Sequence, residues 1–323
     1  MHLQMTVTTA YIKLFLSLIF LIVDIFVLVG IRRQTILSSH PIMILNAALF
    51  TTEILKIGAQ VTNEYPVEIA GKVLIDCPYS DIWAVWSLIP WFSSIYIYPI
   101  LAVLHFLAIY RPVYFKMLKK KSAYISILIV FLLSILMSLA YVLPSCGIYY
   151  SHDFLYWAFD FSRPQVFFME KYNYVLAITA ISITIAIDIL IIIRMIRWQQ
   201  RKNLAKLSNA ICLPSHASQT IVTDLQVARS DRMTAVFLTL TDPSIKKNAL
   251  SISYTSEIRL AVNFLMIFII FVWEFIAFNV LIYYEFEYSW LITLLTSIVS
   301  NAKGTSYFIF SRNIRTGVLS IFR

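Results

Sequence analysis

Between residues 122 and 143 the chain carries no Asp, Glu, Lys or Arg. An uncharged apolar stretch of that length spans the hydrocarbon core of a bilayer as one α-helix, which needs about 20 residues. Six further stretches resemble it, so the predicted spans are 11–31, 41–61, 82–109, 122–143, 172–193, 260–284 and 289–310. All are continuous apolar runs without inside–outside alternation, which points to helices rather than barrel strands. The third is long enough to tilt, and the seventh is interrupted by Lys303. Only 13% of the 323 residues are charged and 60% are hydrophobic, against roughly 25% charged in a soluble domain. The expected fold is therefore all-α: one seven-helix membrane domain over 1–323, with a long cytosolic connection at 194–259. The middle of that connection, 210–245, is rich in Ser and Thr and reads as partly disordered.

The basic residues set the orientation. Twenty of the 26 Lys and Arg fall after spans 1, 3, 5 and 7, including Arg32, Arg33, Arg111 and the run Lys119–Lys121. The opposite loops are acidic, through Glu64, Glu68, Asp76, Asp81, Asp153, Asp160 and others. Lys and Arg collect on the cytosolic side, so the N-terminus is expected outside and the C-terminus in the cytosol. The same placement explains the net charge of +9 without nucleic acid, because basic clusters at helix ends meet anionic lipid headgroups. The first span is too long for a cleavable signal core and reads as a signal-anchor.

Cys77 and Cys146 share the outer, oxidising face, whereas Cys212 lies on the reducing side. A Cys77–Cys146 disulfide would tie the top of the third span to the second outer loop; two unpaired thiols are the alternative. Five scattered histidines, and no HExxH, GxSxG or P-loop, leave no catalytic, metal or cofactor motif, so no enzyme activity is expected. With six Gly there is little provision for the broken helices of a transporter.

Two segments then carry a family resemblance. At the inner end of the third span, Leu104-His105-Phe106-Leu107-Ala108-Ile109-Tyr110-Arg111-Pro112 resembles the DRYLAIxxP pattern of rhodopsin-like G-protein-coupled receptors. At the end of the seventh, Lys303-Gly304-Thr305-Ser306-Tyr307 stands where such receptors carry NPxxY, and 308–315 resembles the short amphipathic helix that follows. The degraded motifs, aromatic content and short tail look most like nematode serpentine chemoreceptors of the Srg/Srx type. The resemblance implies a plasma-membrane receptor, in sensory cilia for example, that detects an external small molecule and signals to a heterotrimeric G protein. It assigns His105, Arg111 and Tyr307 to G-protein coupling. Departures are His105 in place of the motif arginine, Thr51 in place of the second-span aspartate, and a sixth span without proline.

The same resemblance puts the ligand among the outer halves of spans 3, 5, 6 and 7. Ser87 occupies the position where amine receptors have an aspartate, beside Trp83, Trp86 and Trp91. An apolar pocket of this kind suits a small, mostly neutral molecule. Trp83, Ser87, Trp91 and Glu274 are the expected ligand contacts, although an aromatic stripe on a membrane helix also serves packing.

Charged residues inside spans are each a functional hypothesis. They are Asp24, Glu53, Lys56, Asp188, Glu274 and Lys303. Glu53 and Lys56, at i, i+3, are expected to pair with each other. Lys303 is expected to meet Glu53 or Asp24, and Asp188 to snorkel toward the cytosol. An opsin-type Schiff-base lysine would precede Tyr307 by ten residues, where this chain has Ser297, so Lys303 does not fit that role.

Overall fold

The computed structural model describes residues 2–33, 40–70, 79–143, 145–151, 156–211, 262, 264–277, 289–310 and 312–319. Five helices are long and apolar enough to cross a membrane, and two described apolar segments, Phe264–Ile276 and Trp290–Asn301, are shorter. These make up the seven-helix bundle. We number the spans α1 (His2–Arg33), α2 (Pro41–Ala59), α3 (Tyr79–Tyr110), α4 (Lys120–Ala140), α5 (Val166–Ile211), α6 (Phe264–Ile276) and α7 (Ser289–Asn301, resumed over Lys303–Phe310). A short helix, α8 (Arg312–Leu319), follows.

α2 starts at Pro41, whose fixed φ and missing N–H suit a first helical turn. It does not stop near residue 61 as its hydropathy suggests. A π-helical turn, Gln60–Glu64, carries the chain into a further helical segment, Tyr65–Ala70. Glu64 and Glu68, expected in an outer loop, are therefore built into the helix. α5 likewise runs on to Ile211, so residues 194–211 of the expected cytosolic loop are helical. The Ser/Thr-rich segment from 212 to 245 lies outside the described residues.

α2 and α3 form the interior of the bundle, with 67% and 61% of their apolar windows buried against 22–28% for α1, α4 and α5. The outer three present Phe15, Ile22, Leu128, Leu132, Leu136 and Val175 outward. Each such side chain would cost on the order of 1.5–3 kcal/mol in water, which lipid removes. Buried hydroxyls on these helices bond back to their own backbone, as Ser134 donates to the Val130 carbonyl (2.8 Å) and Thr184 to that of Ala180 (2.8 Å). The core seam joins α3 to α6 through Tyr98, whose ring lies 4.5 Å from Phe271 and 5.7 Å from Phe268. α8 tucks under α1, with Val318 against Gly30; a Cβ there would sit 2.8 Å from the valine methyl.

Between α4 and α5 a hairpin of β1 (Ile148–Ser151) and β2 (Tyr156–Phe159) pairs Ile148 with Phe159 and Tyr150 with Trp157. Its foot is held by Arg163, which donates to the Cys146 carbonyl (2.6 Å) and pairs with Asp160 (3.0 Å). Hydrogen bonds from Ser162, then the Arg163 guanidinium, hold the Asp160 carboxyl below its ordinary value. Among the described residues Cys146 forms no disulfide, and Cys77 lies outside them.

Candidate functional site

Beneath the hairpin, α1, α2, α3, α5, α6 and α7 enclose a cavity of about 180 Å³. Ile148, Trp157 and Phe159 of the hairpin roof it; Trp91, Leu88 and Phe271 form an apolar wall. Trp91 is fixed by donating its indole N–H to Asn173 Oδ1 (3.1 Å) on α5 and by its ring contact with Phe271 (5.7 Å).

The floor is ionic. Lys303 Nζ, at the point where α7 resumes, donates to Glu53 Oε1 (2.6 Å) on α2 and reaches Glu274 Oε2 (3.4 Å) on α6. Lys56, one helical turn from Glu53, donates to Glu274 Oε1 and to Ser300 Oγ. The result is a chain of alternating sign, Glu53–Lys303–Glu274–Lys56, with no net charge, joining α2, α6 and α7. The expected meeting of Lys303 with Glu53 is thus present. The expected Glu53–Lys56 pair is not, because each of the two turns to a partner on another helix where opposite charge is also buried. Asp24 on α1 packs against Gly304, at whose Cα a side chain would collide with the carboxylate.

A second set of contacts lines the α1 side. Lys13 donates to Glu68 Oε1 (2.7 Å), and both side chains are almost fully buried. Asn301 Nδ2 donates to Ser17 Oγ (3.0 Å), Ser17 contacts Tyr65 Oη (2.9 Å), and Tyr65 donates to Gln60 Oε1 (3.2 Å). This relay crosses from α7 through α1 to the π turn of α2.

Glu64 closes that turn. Its Oε1 accepts the Trp157 indole N–H (2.9 Å) and the Ser87 hydroxyl (3.4 Å). Among the described residues no donor reaches Oε2 and no Lys or Arg pairs with this carboxylate. A π turn shifts the phase of a helix by one residue, and such turns recur at functional sites. Here it accompanies a stretch in which Gln60, Glu64 and Glu68 all line the cavity.

Of the ligand contacts expected from sequence, Ser87, Trp91 and Glu274 line the cavity together; Trp83 does not. Ser297, at the position discussed for an opsin lysine, also lines it. Sequence reasoning missed Glu64 and Asn173; Trp157 and Phe159 belong to the aromatic second outer loop, read from sequence as either a lid or a segment lying on the headgroups, and both line the cavity. Asp188 does not snorkel: it is buried in the bundle at 6% exposure. Of the residues expected at the G-protein side, Arg111 is exposed, whereas His105 and Tyr307 are buried. The His105 ring stacks on Phe264 of α6 (4.9 Å) and its Nδ1 meets the Leu101 carbonyl (2.9 Å). Tyr307 packs edge-on against Phe50 of α2 (5.0 Å). Among the described residues no group of three His, Cys, Asp or Glu is arranged to hold a metal ion.

Comparison with known proteins places this arrangement. Residues 14–212 match the family described as "Serpentine type 7TM GPCR chemoreceptor Srx". Among solved structures the chain is similar to squid rhodopsin, with a TM-score of 0.75 at 13% identity, covering 98% of this chain and 85% of that one. At that identity the likeness is one of fold. No curated protein matches the sequence.

Proposed function

The chain belongs to the Srx family of serpentine seven-transmembrane chemoreceptors of the G-protein-coupled type, and from that premise we propose that it detects an external small molecule in the cavity under the hairpin and signals to a heterotrimeric G protein. The observation that carries this reading is continuity. Trp91 and Glu274 line the same cavity, and Glu274 is the shared acid of the chain that ties α6 to α2 and α7. A ligand that favours one setting of Glu274 shifts the population of α6 positions, since a ligand moves an equilibrium only through its differential affinity for the two states. His105, stacked on Phe264 of α6, carries such a shift to the cytosolic end, where exposed Arg111 and the loops meet the G protein; Tyr307 acts through its packing on α2.

The charge distribution supports an outside N-terminus and a cytosolic C-terminus, with the cavity opening to the outside of the plasma membrane, as in a sensory cilium. The cavity's floor is more ionic than the mostly neutral ligand expected from sequence requires. The test is agonist-dependent second-messenger output in cells expressing the chain, with an N-terminal tag read on unpermeabilised cells. A response abolished by G-protein blockade is expected. A ligand-gated current that survives the block would replace the receptor reading with a channel, and a tag visible only after permeabilisation would overturn the orientation.

A further inference from the structure

Among the described residues, seven Lys and Glu side chains line the cavity: Lys13, Lys56, Lys303, Glu53, Glu64, Glu68 and Glu274. The three lysines are all engaged, Lys13 with Glu68, and Lys56 and Lys303 with Glu53 and Glu274. Among these described residues, four carboxylates against three ammonium groups leave one negative charge, and the ion pairs place it on Glu64. Two neutral donors, Trp157 and Ser87, hold its Oε1, which fixes the carboxylate while Oε2 stays without a donor among the described residues. Glu64 is half-buried, and a carboxylate partly withdrawn from water without a cationic partner is costly unless a cation or a proton completes it.

From this geometry we infer that the cavity is a site for a small organic cation, a protonated amine on a single ring, with Glu64 as its counter-ion. The inference rests on the cavity being the ligand site of the receptor proposed above. The walls fit the charge: Trp91, Trp157, Phe159 and Tyr174 line the same space, and aromatic faces attract cations. A metal ion fits less well, because Ca²⁺ or Mg²⁺ takes six or more oxygens and, among the described residues, one cavity carboxylate lacks a lysine partner. The volume sets the size. About 180 Å³ is near the roughly 150 Å³ of a cavity that binds benzene, so one ring and a short amine arm fill it. The third helix has serine at position 87, and the acid comes from α2 instead, delivered by the π turn and hydrogen-bonded to that serine.

The test uses the full-length receptor, purified in detergent, with phenethylammonium and its neutral counterpart 2-phenylethanol as probes in a thermal-shift titration. Anything that binds the folded state and not the unfolded one raises the midpoint, by a stabilisation that grows as RT ln(1 + [L]/Kd). The amine is expected to raise it and the alcohol to do so far less. In Glu64→Gln the amide oxygen still accepts from Trp157 and Ser87, so the fold is retained while the charge is lost. The amine's apparent affinity is then expected to fall on the order of tenfold to a hundredfold, the range for a hydrogen bond to a charged group. Glu64→Asp, charged but shorter, is expected to recover part of it. A shift no larger with the amine than with the alcohol, or an amine shift that Glu64→Gln leaves unchanged, overturns the assignment. Amine binding that depends on Glu64 without any G-protein output would sink the signalling reading alone, since the thermal shift does not pass through a G protein.

Discussion

Replacing Lys303 by methionine keeps most of the side-chain volume and removes one charge from the four-membered chain. Glu53 then loses its 2.6 Å partner, and Glu274 keeps only Lys56. Both ends of the Lys303–Glu53 pair are about 2% exposed. Removing one member of a buried ion pair typically costs about 3–5 kcal/mol, because the other charge is stranded. For a long chain about 2 °C of midpoint is lost per kcal/mol, so Lys303→Met is expected to unfold about 6–10 °C earlier. Membrane proteins often unfold irreversibly, so parent and variant are compared at one scan rate. The decisive arm is the double variant Lys303→Met/Glu53→Gln, which leaves Glu274–Lys56 as a neutral pair. It is expected to recover more than half of the loss, a coupling that only directly interacting residues show. A single variant within about 2 °C of the parent, or a double variant as unstable as the single, would refute the ionic account of the floor.

Other outcomes follow from specific contacts. Gly304→Ala drives a methyl into the Asp24 carboxylate and is expected to cost about 1–3 kcal/mol by overpacking, with Asp24→Ala in the same chain restoring the thermal midpoint. Trp157→Phe keeps a ring but loses the N–H on Glu64, a bond worth about 1.5–3 kcal/mol; amide hydrogen exchange across the hairpin should speed up, and unchanged protection would mean that Trp157 is no latch. Cys146 is buried and forms no disulfide among the described residues, so peptide mapping without reductant is expected to give separate thiol peptides; a joined Cys77–Cys146 peptide would restore the pairing expected from sequence, and Cys146→Ser would then cost about 2–4 kcal/mol.

The bundle was legible because hydrocarbon demands long apolar runs, and the chain supplies them at 122–143 and elsewhere with few breaks. The ionic floor was half legible: a lysine in a helix must find an acid, and Glu53 was one of two candidates for Lys303. Its other half was not, since sequence spacing makes Glu53 and Lys56 neighbours while the fold offers both a better partner across helices. Glu64 was hidden for a different reason. Four of residues 60–64 are polar, with Val61 the exception, and they give no apolar periodicity, so the helix reads as ended where the π turn in fact continues it. Trp157 was half legible: the aromatic second outer loop offers either a lid or a headgroup contact, and only tertiary packing decides that this indole meets Glu64.

The ionic chain also bears on how the protein is made. Glu53 and Lys56 emerge from the ribosome long before their partners: Lys303 lies 250 residues after Glu53, and Glu274 lies 218 after Lys56. At about 5–20 residues per second, α2 waits roughly 10–50 s for the charges that will neutralise it. During that interval the only opposite charge within reach of Glu53 on its own helix is Lys56, one turn away. The local pair absent from the finished bundle is thus the one available to the nascent helix, and its exchange for Lys303 and Glu274 would mark the moment when the last two spans dock.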